Sequence, residues 1–190
     1  MLLEVVLLSM LVGFIRRGRL NHLGLIPIRH AWLFLPPFVL VAIVKYVGLY
    51  GGDPNQYPWL PIVNITQFAT LLIAVLVNIR VYGMSIAGLG VFSNFLAMTF
   101  NGGYMPMSAR ALRIAGMSQL LDPDSIERFV RHSIITPATN LKLLTDIIPI
   151  PGVLFIAADV LSIGDVLVAI ALFALIQHYM CTPPGNESPG

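Results

Sequence analysis

Four apolar segments, at about residues 1–15, 31–50, 60–79 and 84–100, follow one another at short intervals before the chain reaches Asn101-Gly102-Gly103. Such a succession leaves few folds open. In water it would expose more apolar surface than one small core can hide, whereas in a bilayer helices satisfy every backbone group internally. Only 11% of the 190 residues are charged and 57% are hydrophobic. Soluble domains carry about 25% charged residues. The expected fold is therefore an all-α integral membrane protein, a single helical domain over residues 1–181 followed by a disordered tail, 182–190.

The first segment, MLLEVVLLSMLVGFI, lacks the positive n-region and small-residue cleavage site of a signal peptide, and its early charge is Glu4. Positive charge follows it instead, as Arg16, Arg17 and Arg19, with Arg29 further on. This asymmetry places the N-terminus outside and the arginine loop in the cytoplasm. At about 1.5 Å per residue the segment is short for a ~30 Å hydrocarbon core, so snorkelling arginines are expected to help it across. Residues 16–30 read first as a topology determinant, with an anionic-lipid headgroup site as the functional alternative.

Polar residues mark one face of the third segment. At 100° per residue Asn64, Gln67 and Asn78 fall within about 60° of one another, and amides in lipid need partners. The fourth segment offers Ala87, Gly90, Asn94 and Ala97 on one face. Folding the two about residues 81 and 82 sets Asn78 opposite Ser85, Gln67 opposite Asn94 to Ala97, and Asn64 near Asn101. Buried packing is the expected use of this stripe. A polar transport path is the alternative, but no membrane-embedded charge accompanies it.

Asn101, Gly102 and Gly103 tolerate left-handed backbone angles, while Pro106 fixes its own φ and pushes Met105 into an extended conformation. A polar excursion, 107–146, follows. Ser108 is an expected N-cap for a helix over 109–121. Asp122-Pro123 reads as a second helix start, and Ile126, Phe129, Val130 and Ile134 recur at helical spacing with Asp124–Arg128 and Glu127–Arg131 as i,i+4 pairs. His132, on the charged face of that amphipathic helix, reads as a solvated side chain. Residues 147–163 are apolar but broken by Pro149, Pro151 and Gly152, which suggests a re-entrant or interfacial segment too short to cross. Ser162-Ile163-Gly164-Asp165 then opens the last span, 165–180, with a capping-box spacing. This totals five spans, or six if 147–163 crosses.

Chemistry is sparse. Ile163-Gly164-Asp165 is close to the Gly-x-Gly-Asp of intramembrane aspartyl proteases, but Ser162 replaces the first glycine and no second aspartate sits in a confident span. Asp146 and Asp165 remain weak catalytic candidates. No nucleophile elbow or metal-binding histidine motif is present, and the lone Cys181 makes neither an internal disulfide nor a cysteine-pair metal site. No metal or cofactor is expected, and a net charge of +2 gives no reason to invoke nucleic acid.

The order RRGRLNHL, NGGYMPMSARAL, the Leu-x-Asp-Ile-Ile-Pro stretch at Leu144 to Pro149 and SIGDVLVAIALF resembles a family of small multi-pass bacterial membrane proteins of unknown function. The likeness concentrates at Asn101, Gly102, Gly103, Met105 and Pro106 and at Ser162, Gly164 and Asp165. It implies a bacterial plasma-membrane location and brings no activity. The expected role is a non-enzymatic accessory or interaction subunit, whose partners are the bilayer and another membrane protein or further copies of itself. A small-solute or lipid transporter using the buried amides is the alternative. A membrane-surface enzyme ranks third.

Overall fold

The computed structural model describes residues 2–50, 56–122, 131–152 and 157–182. In chain order these form α1 (Leu2–Ile15), α2 (Leu35–Tyr50), α3 (Leu60–Val77), α4 (Met84–Phe100), β1 (Met105–Met107), α5 (Ala109–Ala115), β2 (His132–Ile134), β3 (Ile148–Ile150), β4 (Asp159–Leu161) and α6 (Ile163–Cys181). The chain is mostly helical. Two helices, α3 and α6, are long and apolar enough to cross a membrane, while α1, residues 31–47 and α4 are shorter apolar helices.

The five longer helices form one bundle in which consecutive members run in opposite directions. Val44 and Val47 of α2 pack on Leu60 at the start of α3. Gly88 of α4 faces Val75 of α3, and Gly103 lies against Pro61. Gly90 and Asn94 of α4 meet Gly164 at the start of α6, whereas Gly83 meets Ala171 further along it. Ser9 of α1 donates to the Phe173 carbonyl at 3.2 Å and Gly13 packs on Met180, so α1 runs parallel to α6.

The bundle wears its apolar side chains outward. Leu3, Phe38, Ile62, Leu89 and Phe100 are each more than half exposed. The buried positions include Ser9, Asn64, Gln67, Asn78, Ser93, Asn94 and Gln177. A water-soluble bundle places these two classes the other way round.

At one end sits a small cap with its own core of Met107, Ala111, Leu112, Ala115, Leu120 and Val160. Its α5 begins at Ser108, whose hydroxyl accepts from Ala111 N at 3.3 Å, and ends at Gly116 in the left-handed region. The helix expected over 109–121 therefore stops early, and a 3₁₀ turn, Ser118–Leu121, completes it.

Two further sequence expectations need correction. The fold is not all-α: β1 pairs in parallel with β2, matching Met105 to His132 and Met107 to Ile134. The amphipathic helix expected to run to Ile134 is consequently a strand at His132–Ile134, because these residues satisfy the backbone of the extended Met105-Pro106-Met107 segment. The Asp122-Pro123 start and the Asp124–Arg128 and Glu127–Arg131 pairs involve residues outside those described, as does the tail from 183. The segment 147–163 opens and closes as an antiparallel ladder, with Ile148 opposite Leu161 and Ile150 opposite Asp159. Pro149 lacks an amide hydrogen and is tolerated at a sheet edge, where a helix would have been broken. Residues 153–156 lie outside the described part.

Candidate functional site

The polar residues singled out in the sequence meet where the cap joins the bundle. Strand β1 arranges this. Pro106 O accepts from Asp146 N at 3.0 Å and Ser108 N donates to Asp146 O at 2.8 Å, fixing Asp146 along one edge. On the other edge Met105 N donates to Arg131 O at 2.8 Å. The β3–β4 register then sets Ile147 N on Leu161 O at 3.1 Å, which brings Asp146 beside the start of α6.

That start is closed by a reciprocal cap. Asp165 N donates to Ser162 Oγ at 2.9 Å and Ser162 N donates to Asp165 Oδ2 at 3.0 Å. Asn94 of α4 locks the cap from the side: its Nδ2 donates to Asp165 Oδ1 at 2.8 Å, and Ser162 Oγ donates to its Oδ1 at 2.7 Å. Only glycine fits beside it, since a Cβ on Gly164 would strike both the Asn94 side chain and the Gly90 carbonyl. Asn94 and Gly90 thus face α6, not α3 as the folding of the third and fourth segments suggested. The physical reason is the second glycine: Gly90 and Gly164 together allow the closest backbone approach in this part of the bundle.

The other amides clamp backbone. Asn64 Nδ2 donates to Gly103 O at 3.1 Å. Asn78 holds both backbone polar groups of Arg29, accepting from Arg29 N at 2.6 Å and donating to Arg29 O at 3.0 Å. Asn101 does the same to Asn140, accepting from its N at 2.9 Å and donating to its O at 3.0 Å. Gln67 is buried, and its Oε1 has no hydrogen-bond partner among the described residues.

Asp146 is 4% exposed. Burial first, then the charges of Asp165 and Asp159, push its carboxyl up to about 8, against an opposing pull from Arg131. Its Oδ1 has no hydrogen-bond partner among the described residues, and its Oδ2 lies 3.7 Å from His132 Nε2. The surrounding protein, and next Arg131, hold that imidazole below its ordinary value, so the contact joins two neutral groups at neutral pH rather than an ion pair. His132 keeps 30% of its side chain exposed. It faces Asp146 and is not the solvated helix-face residue the sequence suggested. Arg131 lies 6.0 Å above the Phe68 ring and is held below its ordinary value by burial, opposed by the charges of Asp165 and Asp146.

The arrangement thus contains a buried neutral acid, an imidazole and a cation. Neither of two cavities, one lined by Trp32, Pro36 and Thr70 and the other by Arg16, Gln177 and His178, is lined by any of these three groups. No group of three or more His, Cys, Asp or Glu suited to a metal occurs among the described residues. Sequence reasoning read Arg131 only as the helical partner of Glu127 and missed Asn140. Neither role has a local signal, since one depends on strand pairing and the other on a clamp from a residue 39 positions earlier.

A model of a family of unknown function, DUF5317, matches residues 25–177. The chain belongs to this family. The matched range contains Asn94, Arg131, His132, Asp146, Ser162 and Asp165, so the whole junction lies within the family's extent. An uncharacterized protein of Thermotoga maritima is 30% identical over 175 residues, covering 90% of this chain and 84% of that protein. No solved structure matches the chain.

Proposed function

We propose that the protein is a five-span bacterial plasma-membrane protein acting as a non-enzymatic accessory subunit, with its cap outside and as the surface it offers to a partner. The observation that carries this reading is the inverted surface: large apolar side chains face outward along all five long helices while amides and hydroxyls are buried. An exposed apolar surface of this extent belongs in lipid. The alternating helix directions then bring the N-terminal end of α1 to the cap side and the end of α6 to the other. Arg16, Arg17, Arg19, Arg29 and Arg80 collect at the end away from the cap, which the positive-inside rule assigns to the cytoplasm.

Transport through the amide stripe is the weaker reading. Asn64, Asn78, Asn94 and Asn101 are each engaged with backbone or with the α6 cap, and the Gln67 oxygen without a partner among the described residues does not by itself make a permeation path, which needs a series of groups free to exchange partners. Membrane-surface catalysis is favoured by one observation, the raised carboxyl of Asp146 beside His132. A neutral acid there has a proton to give.

The test is purification in mild detergent with a photo-crosslinking residue at Leu143, a cap position that is 73% exposed. The accessory reading expects one stoichiometric crosslinked polypeptide. A monodisperse homo-oligomer carrying bound solute would support transport instead. An activity lost in Asp146→Asn or Asp165→Asn at unchanged folding would support the enzyme.

A further inference from the structure

The end of the bundle remote from the cap is chemically one-sided. The loop after α1, the link between α3 and α4 and the last turns of α6 meet there, bringing together Arg16, Arg17, Arg19, Arg80 and His178. Among the described residues this end holds no Asp or Glu. Glu4, Asp122, Asp146, Asp159 and Asp165 belong to the first turn of α1, to the cap or to the junction.

A cavity of about 440 Å³ opens at this end, lined by Arg16, Tyr82, Phe173, Ala174, Gln177 and His178 among others. Its polar groups are held in place. Arg16 Nη1 donates to Gln177 Oε1 at 3.0 Å, and Gln177, only 7% exposed, donates through Nε2 to the carbonyl and hydroxyl oxygens of Ser9. Tyr82 stacks on His178 with ring centroids 4.1 Å apart and planes at 12°. Arg16 is exposed, and its bond to the buried Gln177 tethers its guanidinium at the mouth of the cavity, so that its remaining N–H groups are presented there at a reduced cost in conformational entropy.

The cavity also has a direction. With a rise of about 1.5 Å per residue, Phe173 and Ala174 lie roughly one helical turn nearer the bundle's middle than Gln177 and His178. Its inner part is thus apolar and its outer part polar and cationic. That sequence of surfaces, read along the helix axis, is the profile of a phospholipid: acyl chain, then phosphate. A freely diffusing anion has no use for the apolar half.

We propose that this cavity binds the phosphodiester headgroup of an anionic glycerophospholipid, with Arg16 and His178 as its phosphate contacts and Phe173 and Ala174 against the acyl chains. The inference rests on the membrane reading above, which supplies the lipid.

The experiment is native mass spectrometry of the full chain in mild detergent, offered dioctanoyl phosphatidylglycerol, dioctanoyl phosphatidylcholine or inorganic phosphate. Retention of phosphatidylglycerol over phosphatidylcholine is expected at about five-fold, the worth of one well-placed arginine. Arg16→Gln should bring the two lipids to parity. Arg29→Gln should keep the preference, because Arg29 is clamped through its backbone to Asn78 and does not line the cavity. If Arg16→Gln does not fold, His178→Leu replaces it and should lower the preference. Equal retention of both lipids by the unaltered chain, or an equal loss in Arg29→Gln, overturns the site. Displacement of phosphatidylglycerol by inorganic phosphate overturns the lipid assignment. A chain that stays monodisperse without detergent and retains neither lipid would contradict the membrane reading itself.

Discussion

Ser162 donates its hydroxyl hydrogen to the Asn94 side-chain carbonyl at 2.7 Å, across the closest approach of α4 and α6. Both residues are buried, at 0% and 3% exposure. The same asparagine donates to Asp165, so one side chain from α4 completes the N-terminal cap of α6. Ser162 directly follows Leu161, the last residue of the β3–β4 ladder, so this contact ties the cap to the bundle.

Replacing Asn94 by Leu leaves the Ser162 hydroxyl and one Asp165 oxygen without their partner. Each unsatisfied buried group costs about 1–3 kcal/mol, so thermal unfolding in detergent should shift clearly downward. Ser162→Ala should cost a similar amount, because it removes the N-cap acceptor of Asp165 N and leaves the buried Asn94 Oδ1 without its donor. Equal stability of Asn94→Leu and the unaltered chain would show that the contact contributes nothing.

The two glycines of the turn should separate on substitution. Both have positive φ, at 67° for Gly102 and 85° for Gly103. A Cβ on Gly102 meets nothing within 4 Å, whereas one on Gly103 would lie 2.5 Å from the Pro61 carbonyl oxygen. Gly102→Ala should therefore cost about 1 kcal/mol of backbone strain, and Gly103→Ala distinctly more because α3 must also give way. Similar expression and thermal stability for both variants would contradict the packing of the turn on α3.

Stability should fall as pH rises from about 6.5 to about 8. The carboxyl of Asp146 is raised from 3.8 to about 8 in the folded chain, so between those values the folded state holds a proton that the unfolded state has lost. Unfolding then becomes easier with rising pH, by up to ~1.4 kcal/mol per unit. His132 acts in the opposite sense below its ordinary 6.5, where the unfolded chain binds the extra proton, and offsets the fall there. The groups facing Asp146 are His132, Arg131, Asp159 and Asp165. Asp146→Asn should flatten the profile above pH 6.5. An unchanged slope in that variant would remove Asp146 as its source.

The bundle was legible in the sequence because long apolar helices are uniform in composition, and runs such as Leu60–Val77 need no partner to be recognised. Ser162 to Asp165 was equally legible, since a capping box is local. The cap was not. Met105-Pro106-Met107 carries no alternation, and its pairing with His132–Ile134 spans a separation that periodicity cannot see. Ile126 to Ile134 repeats at helical spacing, yet its last three residues are a strand because β1 needed a partner. Asn94 was assigned to the right kind of partner on the wrong helix. Its angular position on α4 was readable, but which neighbour lay on that side depended on Gly164, 70 residues later.

In the proposed topology, five crossings put the cap and the end of α6 on opposite sides of the membrane. Cys181 is half-buried at the end of α6, and Leu143 is an exposed residue of the cap. The deciding measurement is labelling by a membrane-impermeant thiol reagent on intact spheroplasts, with lysed ones as the accessibility control. It compares the unaltered chain with a Leu143→Cys, Cys181→Ser variant. With that topology Cys181 labels only after lysis, while the cysteine at 143 labels before it. Labelling of Cys181 before lysis, or protection of position 143 until lysis, would contradict it.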